Sequence, residues 1–469
     1  GNRMLEYQKG EKVDTLTTNE KGEASLSDLP LGTYEVVEVT APEGFVLNET
    51  PQKITFTYKD QHTPVIEQTA AFVNDRQKVE ISVVKKDAET GAVVKGATFG
   101  LYAKEDILAG EKVIVKAGTL LSEAVTGEDG RAVFTCDLPF GIYEIRELSA
   151  PAGYVSSKEV LEVKAEYQGQ DVKVVALSSD FENKPTKIAV KKTDVTTGVE
   201  LSGATLTVLD KDGTVVDTWT SVKGEEHLIE RLTVGETYTL REEFAPYGYL
   251  IAEEVTFTVE DTAEIQKVEM KDDVPTGTIL INKKGEFLED VSALDTIGGW
   301  IAHLFEYVTG ALKEVTFEVY ALEDIKAADG ESGDHYKKDE LVGTITTDET
   351  GVARLSDLPL GKYYIKEKET AEGFVLDGKI REVDLTYRDQ HTAEVTYSTD
   401  WQNLRQRAEV SVIKKEKDTD RVLEGAVFAL CAKEDILNKD GEVILKADTV
   451  IEEKATDKEG KLLFAADLP

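Results

Sequence analysis

Three residue types recur where the alternation of a β-strand turns them inward, and together they could form an amide bond. Written as a strand, YEIRE puts Tyr143, Ile145 and Glu147 on one face, because strand side chains alternate with period 2. The arrangement recurs as Tyr34, Val36 and Glu38, as Tyr238, Leu240 and Glu242, and as Tyr363, Ile365 and Glu367. Lysine follows the same rule. Lys85 shares a face with Ile81 and Val83, Lys192 with Ile188 and Val190, Lys283 with Ile279 and Ile281, and Lys414 with Val410 and Val412. Asn74, Asn183 and Asn403 align with Phe72, Phe181 and Trp401, and Asp272 aligns with Met270. The Glu-to-Asn separation is 36 residues in three copies and 30 for Glu242 to Asp272.

An unpaired charge inside a domain costs several kcal/mol or more. Burial therefore lowers a lysine pKa and raises a glutamate pKa. A neutral ε-amine is a nucleophile, and a protonated Glu can polarise an Asn or Asp carbonyl and carry protons as it reacts. Fixed placement supplies the effective concentration. The product would be an isopeptide bond, with loss of ammonia or water. The expected pairs are Lys85–Asn183, Lys192–Asp272 and Lys283–Asn403, with Glu147, Glu242 and Glu367 as proton shuttles. Glu38 and Asn74 have no lysine strand before them, and Lys414 has no Glu or Asn after it, so these stay unpaired within the chain. Without a bond, the same residues would form a buried Glu–Lys ion pair beside a hydrogen-bonded Asn.

The elements that must carry these residues repeat. LSDLPLGTYEVVEVTAPEGFVL (26–47) returns as LSDLPLGKYYIKEKETAEGFVL (355–376), and GATFGLYAKEDIL (96–108) as GAVFALCAKEDIL (425–437), both at an offset of 329 residues. The shorter unit has a fixed order: a lysine strand, a second strand of the GATF type, a polar loop, a DLPxG turn, the Tyr-x-x-x-Glu strand, a Gly-aromatic corner and a last strand ending in Asn or Asp. Short Val/Ile/Thr/Tyr strands between turn residues predict an all-β chain of immunoglobulin-like sandwiches. The expected domains are 1–76 (C-terminal part), 77–185, 186–275, 276–406 and 407–469 (N-terminal part). Linkers of a few residues favour an elongated array, and both ends fall in mid-domain, as in an excerpt of a longer chain.

These motifs resemble tandem Cna protein B-type, or SpaA-type prealbumin-like, domains of Gram-positive surface adhesins and pilins. The residues carrying the likeness are K-x-D-x-x-TG (Lys85, Lys192), GATF, DLPxGxY and Y-x-x-x-E-x-x-AP-x-GY/F, in order along essentially the whole chain. The resemblance implies the Lys, Glu and Asn/Asp roles assigned above. Domain 4 departs from it, with Lys283-Lys284-Gly285 for KxD and Thr370-Ala371 for the Ala-Pro pair, and Lys414 has no Asp two residues on.

The 91 acids and 54 bases give a net charge of −37, which argues against nucleic acid and anionic membranes as partners. No apolar run is long enough to insert in a membrane. No spacing suits a metal or phosphate site, the five histidines are scattered, and no cofactor or multiple-turnover catalysis is expected. Cys136 and Cys431 read as buried free thiols. In domain 4 a helical insertion is expected at about 288–311. Leu294, Ile297, Ile301, Leu304, Phe305 and Val308 recur at helical spacing within 291–310, with Ser292 as a candidate N-cap. It reads as packed on its own domain or across a joint rather than as a partner-binding helix. The expectation is a stalk segment of an extracellular cell-wall protein, with any host surface or matrix ligand bound elsewhere and neighbouring copies possible in a fibre. The competing readings are a sortase-polymerised shaft pilin and an adhesin region binding through the domain 4 insertion.

Overall fold

A computed structural model of the chain describes residues 7–295 and 299–469. Every regular element among them is a β-strand. The chain is organised in two units, residues 1–188 with 229–236 and 258–266, and residues 189–228 with 237–257 and 267–469.

In the first unit, domain 2 packs two sheets around one core. The first has the strand order Val160–Ala165, Gly141–Ser149, Thr98–Ala103, Leu120–Val125, and the second Val174–Asn183, Lys78–Asp87, Arg131–Phe134. The inward faces supply Ile81, Val83, Phe99, Leu101, Phe134, Tyr143, Ile145 and Phe181, all at most 2% exposed. Burying a side chain of this size contributes about 1.5–3 kcal/mol, which accounts for the strict alternation. Domain 1 contributes one antiparallel pair, Gly32–Val36 with Gln52–Phe56.

In the second unit, domain 4 repeats this plan. Leu341–Thr346, Thr316–Ala321, Gly361–Glu369 and Ile380–Leu385 form one sheet, and Val352–Pro359, Thr276–Asp295 and Glu394–Gln402 lie together in the other. Domain 3 has the sheet order Val215–Thr220, Thr205–Leu209, Thr237–Phe244, Val255–Thr258, and pairs its lysine strand Lys187–Asp194 with Gln266–Asp272.

The expected helix is a β-hairpin arm. The lysine strand of domain 4 runs without a break for 20 residues, Thr276–Asp295, and returns as Ile301–Ala311. Phe305 lies opposite Val291, and Val308 opposite Phe287. Ser292 caps nothing, and its hydroxyl donates across the hairpin to Glu306 Oε1 (3.2 Å). Ile297, part of the helical spacing, lies outside the described residues. The physical reason is tertiary. β-Branched and aromatic residues fill the segment, a preceding strand is there to extend, and the arm reaches a second sheet edge. Ala302 pairs with Glu452 of strand Val450–Ala455, and Leu288 and Phe305 form a core with Ala432, Leu445 and Ile451 of domain 5.

Cys136 is half-buried and Cys431 is exposed, so the second thiol departs from the expectation. Strand Val427–Cys431 alternates, and Cys431 falls on its solvent face with Val427 and Ala429.

Candidate functional site

The lysine strand and the Asn strand of each full sandwich are neighbours. In domain 2 they run parallel, with Lys85 opposite Phe181 and Asn183 two residues further on the same face. In domain 4 Lys283 lies opposite Trp401 in the same parallel register, with Asn403 beyond it. The Glu comes from the other sheet, where Phe99 pairs with Glu147, Leu206 with Glu242 and Phe317 with Glu367. The polar loop sets the lysine backbone. Lys283 N–H donates to Gly351 O (2.7 Å), and Lys85 N–H to Gly130 O (2.8 Å). Gly351 has φ +74°, and a Cβ there would stand 2.5 Å from Lys283 O, so only glycine fits.

Domain 4 shows the trio fully assembled. Lys283 is 1% exposed, Glu367 6% and Asn403 0%. Lys283 Nζ donates to Glu367 Oε2 (2.8 Å) and to Asn403 Oδ1 (2.5 Å). Asn403 Nδ2 donates to Glu367 Oε1 and to Thr370 Oγ1, the latter at 2.7 Å. Phe317 and Trp401 wall the ammonium, with ring centroids 5.5 and 5.3 Å away. Burial lowers the Lys283 pKa, against the pull of Glu367.

Domain 3 brings together Lys192, Glu242 and Asp272, all nearly free of solvent. Lys192 Nζ hydrogen-bonds Asp272 Oδ1 and lies 2.9 Å from Glu242 Oε1, an ion pair without hydrogen-bond alignment. Asp272 Oδ2 has no hydrogen-bond partner among the described residues. Burial pushes the Asp272 carboxyl up to about 7, with Lys192 opposing and Glu242 adding to the rise. Two carboxylates beside one ammonium cannot both hold a charge cheaply, and a neutral carboxyl is the form that can lose water.

In domain 2, Asn183 Nδ2 donates to both oxygens of the half-buried Glu147 (2.8 and 2.9 Å), and Asn183 Oδ1 is buried without a hydrogen-bond partner among the described residues. Lys85 Nζ donates to Phe181 O (3.3 Å) and lies over the Phe181 ring, 5.2 Å from its centroid. Burial lowers its pKa to about 8, with Glu147 opposing. Domain 1 holds Asn74 Nδ2 on Glu38 Oε2 at 2.7 Å. Lys414 is exposed, and its N–H keeps the contact with Gly460 O (2.8 Å).

Several supporting residues were not assigned from sequence. Tyr34, Tyr143 and Tyr363 each donate a hydroxyl hydrogen to the Pro carbonyl of their own DLP turn (Pro30, Pro139, Pro359), which explains the DLPxGxY spacing. The Asp of KxD caps its turn. Asp87 Oδ1 accepts from Glu89 and Thr90 N–H, and Oδ2 from Tyr154 OH (2.9 Å) and Arg231 (3.0 Å). Asp194 repeats this with Thr196, Thr197 and Tyr249. Domain 4 replaces the Asp–Tyr pair with Gly285 and Phe374. A Cβ at Gly285 would meet Phe374 Cε1 at 2.4 Å, so glycine at 285 makes room for the ring.

The family model of the SpaA prealbumin-like fold domain matches residues 4–70, 79–179, 186–274 and 306–401. No curated protein sequence matches the chain. Among solved structures, the Bacillus anthracis TIE protein is similar at 23% identity and TM-score 0.42, over 77% of this chain and 55% of that one. This chain thus spans a little over half of that protein's structure. BcpA, the major pilin subunit of Bacillus cereus, is similar at 16% identity and TM-score 0.34, over 70% of this chain and 100% of that one. The full-length major pilin SpaD of Corynebacterium diphtheriae is similar at 15% identity and TM-score 0.30, over 70% and 98%. Matched in four successive segments that cover most of its length, and folded as successive β-sandwiches, the chain belongs to the SpaA prealbumin-like domain family.

Proposed function

We propose that the chain is a structural stalk segment of a Gram-positive cell-surface adhesin or pilus-like protein, held by self-made Lys–Asn and Lys–Asp isopeptide bonds. The reading rests on the closed arrangement of Lys283, Glu367 and Asn403 in domain 4, where one carboxylate touches both the amine and the amide nitrogen. Glu367 is placed to take a proton from Nζ and return one to Nδ2, which leaves as ammonia. A bond between the first and last strands of a domain lets tension pass from one to the other without unfolding the sandwich. Such a module acts outside the cell, at the wall, alone or among neighbouring copies in a fibre. Its chemistry turns over once per domain.

The test is the intact mass of the folded chain. Two ammonias and one water are expected to be missing, for Lys283–Asn403, Lys85–Asn183 and Lys192–Asp272, and an unshifted mass overturns the proposal.

Bond formation in domain 2 is also expected to depend on pH. With the Lys85 pKa near 8, the neutral amine grows about tenfold per pH unit below that value. Timed mass spectra of freshly made chain, taken between about pH 6 and 9 around that value, are expected to show the rate rising and then levelling near 8. The sign for stability agrees. The folded pKa lies below the ordinary lysine value, so the unbonded domain gains stability as pH rises between the two and loses it as pH falls through 8.

A further inference from the structure

We infer that Thr370 is a positioning residue for bond formation between Lys283 and Asn403, an inference that rests on the isopeptide reading above. Thr370 occupies the place that Ala150 holds in domain 2 and Ala245 in domain 3, and by sequence alone it is only a departure from the Ala-Pro pair. Its hydroxyl changes how the single Glu is shared.

In domain 2, where the equivalent side chain is a methyl, Asn183 Nδ2 takes both Glu147 oxygens. One of those oxygens also accepts the N–H of Ser157 (2.9 Å). Lys85 is left on the Phe181 carbonyl, and Asn183 Oδ1 has no hydrogen-bond partner among the described residues. In domain 4, Thr370 Oγ1 accepts one amide hydrogen of Asn403, and Glu367 Oε1 takes the other. Glu367 Oε2 is thereby released to Lys283, and the amide plane is pinned with Oδ1 facing Lys283 Nζ at 2.5 Å.

The consequence is kinetic. Lys283 reacts as the neutral amine that its burial favours: Nζ attacks Asn403 Cγ, forming the new C–N bond, while Oε2 takes one of its two protons. The old C–N bond then breaks, and Glu367 returns a proton to Nδ2, which departs as ammonia. Atoms and protons balance without any added reactant. Thr370 does not touch the reacting carbon. It holds the amide so that both oxygens of Glu367 are in place at once, a pre-organisation that Asn183 lacks.

The experiment uses the full 469-residue chain made by cell-free synthesis, quenched at intervals and digested, with the Lys283–Asn403 cross-linked peptide measured against Lys85–Asn183 as an internal clock. Thr370→Ala restores the alanine that two sister domains carry, so the corner is expected to fold. It is expected to slow the domain 4 bond about tenfold relative to the clock, the size of one lost positioned hydrogen bond. Thr370→Ser is expected to recover the parent rate to within about twofold, because the hydroxyl is what acts. An unchanged rate in Thr370→Ala overturns the inference. A Thr370→Ser chain as slow as Thr370→Ala also overturns it, since packing of the threonine methyl would then be the cause. If the unaltered chain yields no cross-linked peptide in any domain, the isopeptide reading itself fails, a result distinct from either of these.

Discussion

A Glu367→Ala chain is expected to keep the ammonia that the parent is proposed to lose from domain 4, while the proposed losses from domains 2 and 3 persist. Without the carboxylate, no group among the described residues hydrogen-bonds both Lys283 Nζ and Asn403 Nδ2. The effect on stability is large for two reasons. The missing bond would have closed a loop across 120 residues of sequence separation. By analogy with disulfides, closing a loop of this order limits the unfolded state by roughly 4–5 kcal/mol. Lys283 also remains buried at 1% exposure with its counter-charge removed. Breaking one partner of a buried pair costs about 3–5 kcal/mol. These terms overlap, so the expected loss is on the order of 5 kcal/mol or more, read as an early denaturant transition confined to domain 4. Full ammonia loss in Glu367→Ala would sink the shuttle role. Glu147→Ala should remove the domain 2 loss in the same way.

The second large effect concerns the arm. Phe305 is 4% exposed, in a small core with Leu288, Ala432, Leu445 and Ile451, each at most 8% exposed. Truncating a buried Phe costs about 3–5 kcal/mol. The domain 5 segment has few long strands of its own, so much of that cost should fall there. Tyr307 OH donates to Asp467 O (2.9 Å), and Arg405 stacks on the Tyr307 ring at 3.8 Å, ion-pairs with Asp467 and donates to Leu468 O, so the arm and linker grip the same turn. In Phe305→Ala, amide exchange is expected to quicken across residues 427–468, with the Lys283–Asn403 bond still forming at the base of the hairpin. Unchanged protection over 427–468 would mean that the arm does not hold this segment.

The two outcomes for sequence reading, legible trio and misread arm, have one physical origin. Tyr363-Ile365-Glu367 and Ile279-Ile281-Lys283 show their inward faces through alternation alone, since period 2 is a local property of an extended chain. Residues 291–310 carry apolar side chains on both faces, so Leu294, Ile301, Leu304 and Phe305 fit a helix as well as a strand. What resolved the ambiguity was pairing with a strand already in the sheet and with Val450–Ala455 from another domain. Gly285 is a similar case. It looks like a lapse from KxD until the Phe374 ring is seen in the space that a side chain at 285 would need.

From the sequence alone came the all-β class, the repeat of 329 residues, and the lysine, glutamate and asparagine or aspartate positions aimed inward. Each follows from spacing along a strand. Only the tertiary structure decided which oxygen each amine and amide would find. It placed Lys283 on Glu367 and Asn403 through Thr370, left Lys85 on the Phe181 carbonyl, and turned a helical pattern into a strand that closes on its neighbour. Hydrogen-bond partners are chosen among groups remote in sequence, and alternation carries no information about that choice.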